Sequence, residues 1–331
     1  MTNFWQNKTV LVTGAGGFIG SHLTEHLAAE GAQVRAFVHY NSRGDWGLLT
    51  LLPAERMANV EVIAGDFREL STIRQAMEGV SHVFHLGALI AIPYSYLHPA
   101  EVIETNVIGT LNLLLAARDL GVERLVHTST SEVYGTALRV PIDESHPLQG
   151  QSPYSASKIG ADKITESFYR SYDLPVVTVR PFNTYGPRQS TRAVIPTIIT
   201  QALTQDIVRL GNLDAKRDLT YVSDTVNGFL KAAQTPGVEG QTFNLGVGAE
   251  ISIGELARKI IALIGRPVEI ELDPARLRPE KSEVQRLLSD NSLAREKLHW
   301  QPQVSFDEGL TLTIEWMREH LGLYRSGAYQ L

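Results

Sequence analysis

Short β-branched runs alternate along the chain with longer stretches whose apolar residues recur at helical spacing. Residues 9–13 read as a buried strand, 21–30 as a helix and 33–38 as the next strand. Gly31 ends the helix, as a glycine suited to the left-handed C′ position does. The alternation continues with strands at 60–64, 82–85, 124–128 and 176–180 and helices at 70–77, 99–120 and 153–172. Buried parallel strands separated by helices predict an α/β fold with a doubly wound parallel sheet. After Pro181 the pattern loosens, although 217–222 and 242–245 still read as strands. Residues 252–264 form an amphipathic helical pattern, with Ser252 and Glu255 at capping-box spacing. Residues 273–281, rich in proline and charge, predict a loop that dips towards a ligand. The expected division is a dinucleotide-binding domain of residues 1–181 plus about 217–240, and a smaller C-terminal α/β substrate-binding domain of about 182–216 plus 241–331.

Composition narrows the function classes. With 331 residues, 43% hydrophobic and 20% charged, the chain has the make-up of a globular protein. Its net charge of −6 comes with scattered basic residues, so no nucleic-acid partner is expected. The absence of cysteine excludes disulfides and thiol catalysis. The apolar runs are broken before the ~18 residues of a membrane span, and Met1 to Lys8 lacks a signal-peptide shape. A cytoplasmic location without membrane contact is the expectation. His22 and His26 share a helix face with no third ligand nearby, so no metal site is expected.

The candidate chemistry begins at Gly14, Gly17 and Gly20, spaced G-x-x-G-x-x-G after the first strand, with Gly16 as an extra small residue. Glycines there let backbone N–H groups approach a pyrophosphate at a helix N-terminus. The second strand runs out through His39, Tyr40, Asn41, Ser42 and Arg43, with no carboxylate before Asp45. A carboxylate at that point would take the ribose hydroxyl of NAD, whereas Ser42 and Arg43 suit the 2′-phosphate of NADP; the choice stays open. Asp66, just after the third strand, is placed either for an adenine amino group or to cap its own turn.

Ser152-Pro153-Tyr154-Ser155-Ala156-Ser157-Lys158 predicts a helix start, with Ser152 as N-cap and Pro153 in the first turn. Tyr154 and Lys158 then share one helix face. A phenol beside an ammonium near a helix N-terminus is expected to ionise more easily and to serve as a base towards an alcohol. Thr130 follows a strand at the same sheet edge and offers a hydroxyl to that alcohol, and Glu132 offers a second base.

With the glycine turn, the segment Ser129-Thr130-Ser131-Glu132-Val133-Tyr134-Gly135 and the Tyr154/Lys158 pair, the chain resembles the extended short-chain dehydrogenase/reductases acting on nucleotide sugars. The Thr-Ser-Glu form resembles GDP-mannose 4,6-dehydratase, and matching motifs continue to Arg278–Val284, covering about residues 8 to 318. Residues 39–47 and 278–288 look most like the N-acetylglucosamine-nucleotide 4,6-dehydratases of legionaminic-acid pathways. The resemblance implies a Rossmann-type domain holding a tightly bound NAD or NADP that is regenerated each cycle. It implies that Tyr154 deprotonates the sugar 4-hydroxyl, Lys158 holds the cofactor ribose, Thr130 orients the hydroxyl and Glu132 removes the C5 proton. It extends the cofactor set to Phe18, Ile19, His39, Asn41, Phe67, Leu86, Gly87 and Ala88, and gives Ser131, Asn183, Arg188, Arg217 and Arg278 to the nucleotide-diphosphate sugar. For Arg217 and Arg278 the competing role is a salt bridge to an acid such as Asp218 or Glu280.

In the dTDP-glucose relatives an Asp acid stands where this chain has Ser131, so here Glu132 would return the proton it has taken. UDP-glucuronate decarboxylases share Thr-Ser-Glu, and 4-epimerisation remains the other alternative from the same 4-keto intermediate. A non-catalytic NAD(P)-binding protein is the third reading. The apolar run 111–117 fits either core packing or, by resemblance, a homodimer through a four-helix bundle with the Tyr154 helix.

Overall fold

Twelve strands organise the computed structural model, which describes residues 3–277 and 279–324. In chain order they are β1 Thr9–Thr13, β2 Gln33–His39, β3 Val60–Gly65, β4 His82–His85, β5 Arg124–Thr128, β6 Val176–Pro181, β7 Asn183–Tyr185, β8 Ile207–Leu210, β9 Lys216–Tyr221, β10 Thr242–Leu245, β11 Glu250–Ser252 and β12 Glu269–Leu272. Seven of them form one parallel sheet in the order β10-β6-β5-β4-β1-β2-β3. The order reverses beside β1, which pairs Val10 with Val34 of β2 on one side and with His82 of β4 on the other. Open parallel sheets bind ligands outside the carboxyl ends of their strands at such a switch point.

Strand alternation decides which helix covers which face. Val10 and Val12 join a core with Leu23, Leu27 and Phe229 of the helices Phe18–Ala29 and Val222–Gln234. Leu11, between them, joins the opposite core with Ile73, Leu113 and Leu114. A third core, around Ile198, Leu219, Leu256 and Ile314, belongs to a smaller layer built on two minor sheets. There β9 lies between β7 and β11, and β8 pairs with β12.

This arrangement moves two strands across the expected boundaries. Thr242–Leu245 pairs with β6 at the edge of the main sheet, because its buried Phe243 and Leu245 belong to the main core. Lys216–Tyr221, assigned in advance to the dinucleotide domain, instead pairs in the minor sheet, while the helix that follows it returns to the main one. The helix expected at 99–120 is broken by a π-helical turn at Glu104–Ile108. Its 22 residues are long and apolar enough to cross a membrane by length and composition, yet half of its most apolar window is buried. Within the run 111–117, Leu113, Leu114, Ala116 and Ala117 are core residues, and Leu111 and Leu115 are only partly covered.

Candidate active site

Because the seven main strands are parallel, the residues after each one emerge at the same edge. The glycine turn follows β1, Leu86, Gly87 and Ala88 follow β4, Thr130 to Glu132 follow β5, and Asn183 follows β6. Gly14 takes φ +69° and lies so close to the β4 loop that a Cβ there would stand 2.8 Å from Gly87 N. A Cβ on Gly20 would reach 2.1 Å from Gly14 O, so helix and turn pack at glycine distance. Phe18 and Ile19 open the helix at Gly17, and no side chain caps its N-terminus. Its first N–H groups are therefore available to an anion such as a pyrophosphate.

The β2 loop folds back over this turn: Leu48 N donates to Gly16 O at 2.9 Å. Asn41 is spent on bracing the loop, accepting from Asp45 N and donating to Asp45 O. Asp45 in turn accepts from Gly47 N at 2.8 Å. His39, Ser42 and Arg43 stand exposed at the rim. Asp66 takes the turn-capping role: it accepts from Arg68 N and forms an ion pair with the Arg68 guanidinium at 2.6 Å. That partner holds its carboxyl below the usual carboxylate range. Phe67 turns inward, its ring against His85 and under Gly87 and Gly109.

The Tyr154 helix, Pro153–Tyr172, starts as its sequence predicts, with Ser152 and Ser155 forming a reciprocal capping box on either side of Pro153. Tyr154 and Lys158 are buried on its inner face, 7% and 3% exposed. Thr130 joins the parts: its oxygen accepts from Glu132 N at 3.2 Å, and its hydroxyl is near enough to the Tyr154 phenol to lower its pKa. Glu132 is half-buried on the turn Ser131–Tyr134, close enough for its charge to act on Tyr154. Ser131 beside it is buried.

The expected easy ionisation of Tyr154 is not what the protein's own groups produce. Burial pushes its pKa up, and the nearby Thr130 hydroxyl opposes this only in part. Desolvation penalises the phenolate more than the neighbouring donors favour it. Lys158 is pushed down to about 8 by burial, with Asp162 acting in the opposite direction.

Beneath this pair lies a network that no motif announced. Asp162, one turn beyond Lys158, accepts from Ser129 Oγ at 2.7 Å, Arg180 Nη2 at 2.9 Å and His127 Nε2 at 3.1 Å. Arg180 also donates to the Tyr134 hydroxyl, which donates to Asn244 Oδ1. A second chain runs from Asn106, in the π-helical turn, which donates to Leu89 O and Ser157 Oγ. Thr110 donates to Asn106 O, so its contact with His85 Nε2 must be donated by the histidine. Thr13 and Gly87 N complete that chain. The available signal was Asp162 at i+4 from Lys158; nothing local marks its partners on β5 and β6.

Across the edge, a cavity of about 720 Å³ runs from Gly16 and Phe18 to Asn183, Arg188 and Arg217. Tyr154, Thr130 and Glu132 are not on its walls; Thr130 and Glu132 follow the carboxyl end of β5, and Tyr154 lies in the first turn of its helix. Arg188 adopts φ +70° and pairs with Glu25 at 2.7 Å. Its Nε and Nη1 are buried without a protein partner among the described residues, as is Asn183 Oδ1. Arg217 pairs with Glu283 at 3.3 Å rather than with Asp218, whose carboxylate is turned onto the N–H groups of Val247, Gly248 and Ser289. Arg278 lies outside the described residues.

A family model described as GDP-mannose 4,6 dehydratase matches residues 11–313. The UDP-glucose 4-epimerase of Mycolicibacterium smegmatis is 36% identical over 314 residues, covering 93% of this chain and 98% of that protein. An epimerase structure from Methanothermobacter thermautotrophicus aligns at a TM-score of 0.88 and 32% identity, covering 97% of this chain and 95% of its own. A dTDP-glucose 4,6-dehydratase from Streptomyces venezuelae, solved with NAD, aligns at 0.85 and 31%, covering 95% and 98%. The family model takes in every residue that builds the shared strand edge, and the chain belongs to the nucleotide-sugar epimerase/dehydratase family.

Proposed function

We propose that this protein is a nucleotide-sugar 4,6-dehydratase converting an NDP-hexose, specifically an NDP-N-acetylglucosamine, to its 4-keto-6-deoxy sugar. One observation carries the reading: the Glu132 carboxylate sits on a turn capped by Thr130, and both residues lie near enough to the Tyr154 phenol to act on its ionisation. A second base beside the first serves dehydration, whereas simple 4-epimerisation has no C5 proton to remove.

The proposed cofactor is NAD or NADP, which when bound would accept the hydride from C4 and give it back at C6 once water has left, ending as it began. The uncapped helix N-terminus at Gly17, the close-packed Gly14 and Gly20 and the Gly87 loop fit its pyrophosphate and nicotinamide half. Tyr154 then takes the proton of the sugar 4-hydroxyl while Thr130 orients that oxygen. With C4 at the ketone level the C5 proton is acidic, and Glu132 takes it. Glu132 gives the proton to the departing C6 oxygen, because Ser131 is no acid. Asn183, Arg188, Arg217 and Arg278 hold the diphosphate and sugar, where guanidinium forks suit phosphate oxygens. The apolar stretch Ile90 to Pro93 on the cavity wall suits an acetamido methyl. We also infer a homodimer through the outer face of the helical stretch 99–120, on which Ile103 and Ile108 are 47% and 44% exposed, and the Tyr154 helix.

Two features favour a second reading, 4-epimerisation or decarboxylation of a glucuronate: epimerases among the similar proteins and serine at position 131. Incubation with a panel of UDP-, GDP-, dTDP- and CDP-sugars, followed by mass spectrometry, separates the readings. Dehydration appears as loss of water, decarboxylation as loss of carbon dioxide, and epimerisation as a new isomer of unchanged mass. An unchanged mass with every sugar would sink the dehydratase reading.

A further inference from the structure

A nucleotide sugar carries its charge in the middle and a flat, uncharged base at one end, and the cavity is built in the same order. Ala215, Arg217 and Leu219 all line it, whereas Lys216 and Asp218, between them, do not. Alternation along β9 therefore sets an arginine between two apolar residues on one face. Leu219 stands in register with Asn183, which follows β6 at the edge of the main sheet, so this end of the strand borders the candidate chemistry. Ala215 lies at the other end, about 7 Å beyond Arg217. Phosphates held at Arg217, as proposed above, leave the nucleoside to continue towards Ala215.

That end is apolar. Ile253 N donates to Ala215 O at 3.0 Å, and Leu210, Ala215 and Ile253 are buried members of the third core. A further wall comes from far along the chain. After the helix Phe306–Glu319 the backbone makes a tight turn at Leu321–Leu323, closed by Tyr324 N donating to Leu321 O at 3.0 Å. The turn brings Leu323 and Tyr324 to the cavity. The Tyr324 ring packs against the third core and stands edge-on to Trp316, with centroids 6.2 Å apart and planes at 87°. Trp316 thus braces a ring that is only partly buried and lines the cavity. The match to the family model ends at residue 313, so Tyr324 lies outside the stretch that carries the shared site.

We propose that Tyr324 is a wall of a nucleobase subsite, its ring lying against the base of the nucleoside diphosphate whose phosphates reach Arg217. The inference rests on the nucleotide-sugar reading and deepens it by giving the base its place. Every nucleobase has a flat π-face, so an aromatic wall among aliphatic ones holds it by stacking and apolar contact. Tyr324 acts on binding and not on the reacting carbons.

The test is calorimetry on the full-length protein with NAD(P) bound. UDP, GDP, dTDP and CDP are titrated and, separately, inorganic pyrophosphate, which has the phosphates without a base. Tyr324→Ala should weaken the best-bound nucleoside diphosphate about tenfold, the scale of one lost base–aromatic contact, and leave pyrophosphate unchanged. Tyr324→Phe, which keeps the ring, should bind as the unaltered protein does. Should the alanine variant lose stability, Tyr324→Leu decides: it keeps apolar bulk against Trp316 without an aromatic face, and it should share the loss. Nucleoside diphosphate binding that stays unchanged, or that falls in step with pyrophosphate, overturns the proposal, because a ring that only packs the third core does not tell a base from its phosphates. If the unaltered protein binds all four nucleotides no tighter than pyrophosphate, the nucleotide-sugar reading itself falls, and this inference with it.

Discussion

The two sides of the candidate site are finished differently. On the main-sheet side, beneath Tyr154, Asp162 is held by four donor atoms and Asn106 by Leu89 and Ser157, although His127 Nδ1 and Thr128 Oγ1 are buried there without partners among the described residues. On the opposite side Asn183 Oδ1, Gln189 Oε1 and two nitrogens of Arg188 are buried without partners among the described residues. Buried polar groups are nearly always hydrogen-bonded, and those that are not require a reason. The difference lies in the charged groups: the Asp162 carboxylate beneath Tyr154 is fully held by the protein's own donors, whereas the Arg188 guanidinium across the edge keeps two nitrogens free for the ligand proposed above.

Substitutions on the two sides should therefore fail in different ways. The largest effect belongs to Tyr154→Phe, which should lower kcat by about 10³-fold and leave dinucleotide binding intact, as measured by calorimetry. Activity retained in that variant would break the comparison at its centre. Glu132→Gln should lower the rate of water loss by about 10²-fold while C4 oxidation continues, read as deuterium loss from C4-labelled sugar without an 18-dalton change. A normal dehydration rate there would transfer the C5 proton to another base. Arg188→Ala, on the cavity wall, should raise KM about tenfold with kcat little altered, since it removes binding away from the reacting carbons. A fall in kcat instead would mean that this wall also takes part in the chemistry. The smallest effect is that of Ser152→Ala, which removes the cap of the Tyr154 helix and should cost about 1 kcal/mol of stability in urea unfolding without moving KM.

Much of this molecule is legible in local pattern. The helix 153–172 and the strands 82–85, 124–128 and 242–245 stand where their spacing predicts, because caps and β-branched runs act within a few residues. The glycine turn and the adjacency of Tyr154 and Lys158 are likewise local geometry. Tyr154 itself marks the limit: its helix position was predictable, but the direction of its pKa was not, since burial depends on what packs over it.

The chain by itself determined the element order, the helix start that pairs a phenol with an amine, and the glycines that admit a phosphate. Only the tertiary structure decided that 242–245 joins the main sheet while 216–221 leaves it. It alone brought Ser129, His127 and Arg180 to Asp162, and set Glu283 rather than Asp218 against Arg217. The physical reason is range. Caps, turns and helical faces are short-range and survive in a one-dimensional reading, whereas buried charge is settled by partners distant along the chain, which meet only when parallel strands bring their ends to a common edge.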